Sequence, residues 1–407
     1  LTAKKLGENI YPVDAEIGAP LWQLADRHFA TNKKGIIMNV AGKLVYKKWD
    51  GAVEKIHTPS FTSFKCLALH DNDCAFAIAA GPSSSSSVIR INLETKKVDV
   101  LRESWRSSEL ERCDISIPES LHFQSDGTDV QAWFYPPFST KYKAPEGTLP
   151  PVVLLAHGGP TAYSPGTLDM RIQYFTTRGF AVCDVNYRGS SGFGTVYRNM
   201  IRRNWGIVDR DDMINAAKHL LCEKRVDPKR LCIMGCSAGG YLLLATLLKT
   251  DMFAAAASVY GVSDLVGLAQ DTHKFEFGYN EQLIGKFPEE KAVYEERSPL
   301  NQCYKLYTPV AFFHGEIDTV VPVSQSEELH EALKKKGVPT SLIVFGGEGH
   351  GFRGSHANKE TINGIYCFFC RILGIEPSEK SGIKIENEAR VEASTKTDAM
   401  LSGDDKA

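Results

Sequence analysis

In the second half of the chain, apolar residues fall into short runs. Pro151 to Ala156, Phe180 to Val185, Leu231 to Met234, Ala254 to Tyr260, Pro309 to Phe313 and Leu342 to Phe345 are nearly unbroken. Such runs mark strands buried on both faces. Between them, Asp209 to Cys222, Gly240 to Leu248, Glu327 to Lys336 and Glu360 to Leu373 read as helices. Strands alternating with helices in this way predict an α/β domain with a doubly wound, mostly parallel sheet. Ser120 to Phe123 and Val130 to Tyr135, joined at Asp126-Gly127, read as its opening hairpin.

Residues 1–112 have another texture. Ile36 to Val40, Lys43 to Trp49, Phe64 to Leu69, Cys74 to Ala79, Val88 to Leu93 and Val98 to Leu101 are short strands separated by turn residues such as Gly81-Pro82. This is all-β spacing, enough for about two blades of a propeller. Residues 377–407 are polar with few large apolar side chains, and read as a disordered tail. The expected layout is therefore a partial β-propeller (1–112), an α/β domain (113–376) and the tail.

One strand end carries specific chemistry. Gly235-Cys236-Ser237-Ala238-Gly239 lies between the strand at Leu231 and the helix from Gly240. It reads as a nucleophile elbow, in which a strained turn exposes the serine hydroxyl above the sheet. That makes the α/β domain an expected α/β-hydrolase catalytic domain. The pentapeptide alone says little, because a Gly-rich strand–helix turn can have the same sequence. Its partners decide. In this architecture the order is serine, acid, histidine. Asp318 follows the run Pro309 to Phe313, and His350 follows the run ending at Phe345. His350 would serve as base for Ser237, and Asp318 would orient the imidazole. Of the rivals, His314 comes too early and His157 lies upstream. His273, His330 and His356 sit in helical or polar surroundings, and Glu316 competes with Asp318 as the acid. His314, Glu316 and Asp318 lack a second ligand cluster, so no metal is expected.

A tetrahedral intermediate needs two aimed N–H donors. One is expected from Ala238. The other is expected from Gly159, in the loop His157-Gly158-Gly159-Pro160 after the Pro151 run. An insertion, Gly261 to Asn301, follows the next strand. It is read either as part of a side-chain pocket through Val262, Leu265, Leu268, Phe275 and Tyr279, or as a surface lid with its own small core.

These motifs, with Asn186-Tyr187-Arg188-Gly189-Ser190-Ser191-Gly192-Phe193-Gly194 and Trp205-Gly206, resemble the catalytic domain of the prolyl oligopeptidase family of serine peptidases. The resemblance covers about residues 113–375 and favours the acylaminoacyl-peptidase and dipeptidyl-peptidase-like branch. It implies that Ser237, Asp318 and His350 form the triad. It also implies a propeller over the active site that admits short or unfolded peptides, the first 110 or so residues being its last blades. Residue 1 is Leu, and the chain is read as a piece of a longer protein. The sequence departs from the proline-selective dipeptidyl peptidases at Ala238, Leu265 and Leu268, where those enzymes carry a Tyr, a Trp and a Tyr. It departs again at Val320, where related members carry Asn or Arg. Residue preference at the cleaved bond is therefore open.

The expected activity is hydrolysis of short peptides through an acyl-enzyme, with no cofactor. A carboxylesterase and an inactive fragment are the alternatives. A formal net charge of −2 with no basic patch argues against nucleic acid. No apolar run reaches the ~18 residues of a membrane span. Ten scattered cysteines favour a reducing cytosol, hence a cytoplasmic expectation, and Cys367 and Cys370 read as core packing. Homo-oligomer formation stays open.

Overall fold

A computed structural model describes residues 9–13, 15–18, 26–70, 73–271, 276 and 278–389. Contacts divide the chain into two units. One runs to Leu110 and includes Ser191–Arg198; the other holds Glu111–Ser190 and the chain from Asn199 onward.

The first unit contains two four-stranded antiparallel sheets. One is β1 (Phe29–Thr31), β2 (Gly35–Val40), β3 (Lys43–Lys48) and β4 (Val53–Ile56). The other is β5 (Ser63–Leu69), β6 (Cys74–Ala80), β7 (Ser87–Asn92) and β8 (Val98–Glu103), each in sequential order. A short helix α1 (Ser107–Leu110) follows. Sequential four-stranded sheets are the repeating element of a propeller. Ile37, Leu44 and Tyr46 of the first sheet pack with Phe64, Ala77, Ile89 and Ile91 of the second.

The second unit is built on eight strands: β9 (Glu119–Ser125), β10 (Thr128–Tyr135), β11 (Val152–Ala156), β12 (Ala181–Asn186), β13 (Leu231–Cys236), β14 (Ala255–Val259), β15 (Val310–Gly315) and β16 (Thr340–Phe345). Their order is β16-β15-β14-β13-β11-β12-β10-β9. Only the pairings β9–β10 and β10–β12 are antiparallel; the rest are parallel. Successive residues alternate between two cores. Val152, Leu154, Leu231, Ile233 and Phe312 belong to one, and Val153, Cys232 and Phe313 to the other. Burial on both faces is why these strands read as unbroken apolar runs.

Helices cover both faces. The first core takes side chains of α4 (Val208–Cys222), α5 (Ala238–Leu247) and α9 (Ser324–Lys336). The second takes those of α2 (Met170–Thr176) and α10 (Ser355–Ile372). The helix α3 (Gly194–Asn199) lies between β12 and α4 in the sequence. Every residue of α5 is buried, so it runs through the core rather than along a surface. The chain passes from β11 to β12 on one side and returns to β13 on the other. This makes a switch point beside the C-terminal end of β11, where ligands bind in open α/β sheets.

Three expectations change. The last helix begins at Ser355, not Glu360, because its polar first turn carries no apolar period. Residues 377–389 are not a disordered tail: Ile383 is buried, Glu386 pairs with Thr340 at the edge of β16, and Arg371 binds Glu388. The remaining tail residues, 390–407, and Phe275 lie outside the described residues. Among the described residues the insertion has no core of its own. It forms α6 (Leu265–Asp271), α7 (Tyr279–Leu283) and α8 (Lys291–Arg297) and leads into a 3-10 turn (Leu300–Lys305). Val262, Leu265, Leu268, Leu283 and Tyr294 join the main core.

The Asn186–Gly194 motif is partly structural. Arg188 is buried, its Nη2 lies 2.7 Å from Asp212 Oδ1, and its backbone N–H donates to Asp212 Oδ2 at 2.6 Å. Removing one member of a buried pair leaves an uncompensated charge. Arg188→Leu is expected to lower unfolding free energy by about 3–5 kcal/mol at neutral pH, measured by urea denaturation. Burial already pushes Asp212 above the usual carboxylate range against the pull of Arg188. A group raised in the folded state loses stability as pH rises, so the deficit of the variant should shrink in acid. A variant as stable as the parent would remove this pair from the account.

Candidate active site

The elbow sets the site. Ser237 has φ 55° and ψ −122°, a strained backbone for a non-glycine residue. Its N–H donates to Val259 O at 3.0 Å, and its carbonyl accepts from Gly240 N at 2.9 Å. Glycine is required on either side. A Cβ on Gly235 would lie 2.4 Å from Gly239 O, and one on Gly239 would lie 2.0 Å from Ala156 O. Ser237 stands at the N-cap of α5, yet its hydroxyl makes no capping bond. The hydroxyl is turned instead to His350, with Oγ 2.8 Å from Nε2.

His350 Nδ1 is 2.7 Å from Asp318 Oδ2. This geometry assigns Nδ1–H as donor to the carboxylate and leaves Nε2 to accept from Ser237. Asp318 Oδ1 accepts N–H bonds from Val320 at 2.8 Å and Val321 at 2.9 Å. Burial raises the Asp318 carboxyl, but bonds from His314, His350 and the Val321 N–H outweigh it and hold the group well below the usual range. It is therefore an ionised acceptor at neutral pH. The structure thus brings together the three residues expected from sequence, from loops after β13, β15 and β16.

The rivals fall elsewhere. Glu316 is exposed and accepts from Gly347 N at 3.2 Å. His314 is fully buried: Nδ1 meets Ser326 Oγ at 2.7 Å, Nε2 meets Val321 O at 2.8 Å, and Asp318 Oδ2 is 3.5 Å away. Rejected as a base by its position, His314 has a role that sequence reading missed, as a support for the carboxylate. Its one signal was the four-residue spacing to Asp318. Glu348 was also missed. Its carboxylate accepts the N–H groups of Arg353 and Gly354, both at 2.8 Å, while its carbonyl accepts from Ile317 N at 3.0 Å. It ties the His350 loop to the Asp318 loop.

The Gly-rich loop lies against the elbow. A Cβ on Gly158 would be 3.3 Å from Cys236 O and 3.7 Å from Ser237 Cβ. Gly159 has φ +123°, a conformation that favours glycine. His157 stacks on Tyr187 with centroids 4.1 Å apart, and its Nε2 meets Ser190 Oγ at 2.7 Å. Tyr187 Oη donates to His157 O at 2.8 Å. Two residues of the Asn186–Gly194 motif therefore brace this loop. Ala238 N–H is in the first turn of α5, where helical amides have no intrahelical acceptor and the helix dipole is positive.

The expected pocket residues divide. Leu265 has no accessible surface, and Val262 and Leu268 have almost none, so these three pack the core rather than meet a ligand. Their apolar character looked the same from sequence in either role. Tyr279 and Val320 are half-buried, and Tyr279 Oη lies 2.9 Å from Thr161 Oγ1, just beyond Gly159. Among the described residues no group of three or more His, Cys, Asp or Glu could hold a metal ion. None of their helices is long and apolar enough to cross a membrane. Cys367 and Cys370 are buried in the core.

Burial pushes the His157 imidazole down from 6.5 to about 4, against a smaller upward pull from the Gly158 carbonyl. The folded form stays neutral while the unfolded chain takes up a proton. This contribution to stability is present above 6.5 and is lost as pH falls toward about 4. His157→Gln is expected to flatten that part of the profile, read as urea midpoints between about pH 7 and pH 4.5. Parallel profiles for the two proteins would refute it.

The model of the prolyl oligopeptidase family matches residues 167–376, just over half of the chain. The uncharacterized peptidase YuxL of Bacillus subtilis is 32% identical over 238 residues, covering 58% of this chain and 36% of that protein. Dipeptidyl aminopeptidase BIII of Pseudoxanthomonas mexicana is 33% identical over 215 residues, covering 51% of this chain and 31% of its own length. A solved puromycin-hydrolyzing peptidase of Mycobacterium tuberculosis superposes with a TM-score of 0.88 at 36% identity, over 94% of this chain and 59% of that one. The chain thus spans about a third of these curated relatives. The matched region runs from just before α2 to just beyond α10 and contains Ser237, Asp318 and His350, and on that match the chain belongs to the prolyl oligopeptidase family.

Proposed function

We propose that this chain is a serine peptidase that hydrolyses short peptides through an acyl-enzyme, in the manner of dipeptidyl or acylaminoacyl peptidases. The observation that carries this reading is the continuous path from Ser237 Oγ to His350 Nε2 at 2.8 Å and from His350 Nδ1 to Asp318 at 2.7 Å. Ser237 Oγ attacks the scissile carbonyl carbon while its proton passes to His350 Nε2. The imidazolium is stabilised by the ionised Asp318. The N–H groups of Ala238 and Gly159 receive the oxyanion, and the α5 dipole reinforces the first of them. His350 then gives its proton to the leaving amine as the C–N bond breaks. Water, deprotonated by the same imidazole, releases the acid and restores Ser237.

Relatives named as peptidases and as a dipeptidyl aminopeptidase support amide cleavage over ester cleavage. Tyr279 and Val320, which keep accessible surface, are the residues through which a substrate side chain is read. The ten scattered cysteines favour a reducing, cytoplasmic location.

A panel of aminoacyl-dipeptide amides and short acyl esters tests the chemistry. Turnover of amides, reduced by at least about 10⁴-fold in Ser237→Ala, is expected. Turnover of esters alone would make the protein a carboxylesterase, and turnover of neither would refute the proposal. Within the same panel, Tyr279→Ala should change the ranking of substrates. Leu265→Ala should leave the ranking alone and lower stability by about 2–5 kcal/mol. The reverse outcome would move the pocket to the core side of α6.

A further inference from the structure

The end of β14 carries a second strained residue. Tyr260 has φ 40°, unusual for a bulky side chain. Its N–H donates to Phe313 O at 2.7 Å, which fixes the backbone in place beside β15. The following residue is crowded too: a Cβ on Gly261 would lie 2.2 Å from Ser258 Oγ and 2.8 Å from Gly240 Cα. Backbone strain of this kind persists only where its surroundings enforce it, and it clusters at functional sites.

The strain aims the ring. The Tyr260 centroid is 4.7 Å from that of His350, with planes at 57°, and 5.1 Å from Phe352 at 89°. Phe352 in turn packs edge-on against Phe345 at 4.9 Å. Cys236, the residue before Ser237, lies close enough to the Tyr260 hydroxyl for each to influence the other's ionisation. A single side chain therefore touches the imidazole and the elbow. Asp318 fixes His350 through one nitrogen and Ser237 engages the other, but neither bond stops the ring from swinging out of the plane they share. The aromatic wall of Tyr260 and Phe352 stands against that swing.

We propose that Tyr260 is a positioning residue for the reaction, holding the His350 ring in line between Ser237 and Asp318. This rests on the reading of Ser237 and His350 given above. The ring is the working part.

Covalent inactivation by a fluorophosphonate reads this step without a known substrate. Wild type, Ser237→Ala, Tyr260→Phe and Tyr260→Leu are compared, with Tyr260→Met added because it fills the space with a flexible chain if Leu does not fold. The maximal inactivation rate should fall about ten-fold in Tyr260→Leu or Tyr260→Met, with the half-saturating concentration unchanged, because a misplaced base slows chemistry and not binding. Tyr260→Phe should stay within about three-fold of wild type, since the wall is kept. The low-field proton between His350 and Asp318 should persist in the NMR spectrum of Tyr260→Phe and broaden in Tyr260→Leu. Inactivation of Tyr260→Leu at the wild-type rate would overturn the proposal, as would a Phe variant as slow as Leu. A folded wild type that does not react at all would overturn the Ser237 reading, and this one with it. Loss of reaction in Tyr260→Leu alone leaves that reading intact.

Discussion

Ala156 O, at the C-terminal end of β11, lies where Gly239 would carry a Cβ, and close to where Gly235 would carry one. This close approach of three backbones sets the rest of the site. It lets α5 start directly above β13 and forces Ser237 into its positive-φ turn. It also leaves the serine hydroxyl with no amide to cap. A hydroxyl in an ordinary N-cap would be spent on the helix's own N–H groups. Here it is available to a histidine, and the helix amides are available to a substrate.

The sheet supplies the partners. β13, β14, β15 and β16 are consecutive parallel neighbours, so their ends converge on one edge. Ser237 follows the first, Tyr260 the second, Asp318 the third and His350 the fourth. Each loop is secured by its neighbour. Ser237 N–H reaches Val259 O, Tyr260 N–H reaches Phe313 O, and Ile317 N–H reaches Glu348 O. Beneath the Gly-rich loop, Tyr187 and Ser190 hold His157, and Arg188 anchors that support through Asp212. The site is therefore an extension of the sheet's own hydrogen bonding, on rigid elements rather than on long loops.

Ser237, Asp318 and His350 were legible in the sequence because each follows an apolar run and the order of the three is set by the architecture. In the first unit β2, β3 and β5 to β8 were legible by the same logic of short runs and turns, whereas the short β1 and the half-exposed β4 were not. Other residues were not. Leu265 and Leu268 are apolar whether they line a pocket or fill a core, and only packing separates the two. Tyr260, His314 and Glu348 act through neighbours distant in the chain, brought together by strand pairing that no local pattern records. Residues 377–389 looked polar because, apart from the buried Ile383, polar contacts such as Glu386 with Thr340, Arg371 with Glu388 and Asn387 with Val338 O hold them, and these leave no apolar period.

The central claim is that this geometry makes one serine nucleophilic. Mass spectrometry after treatment with an organophosphonate tests it most directly, by locating the adduct. The account predicts a single adduct on the peptide containing Ser237, formed by the native protein and lost in His350→Ala. An adduct on another residue, or equal labelling of Ser237 without His350, would contradict it.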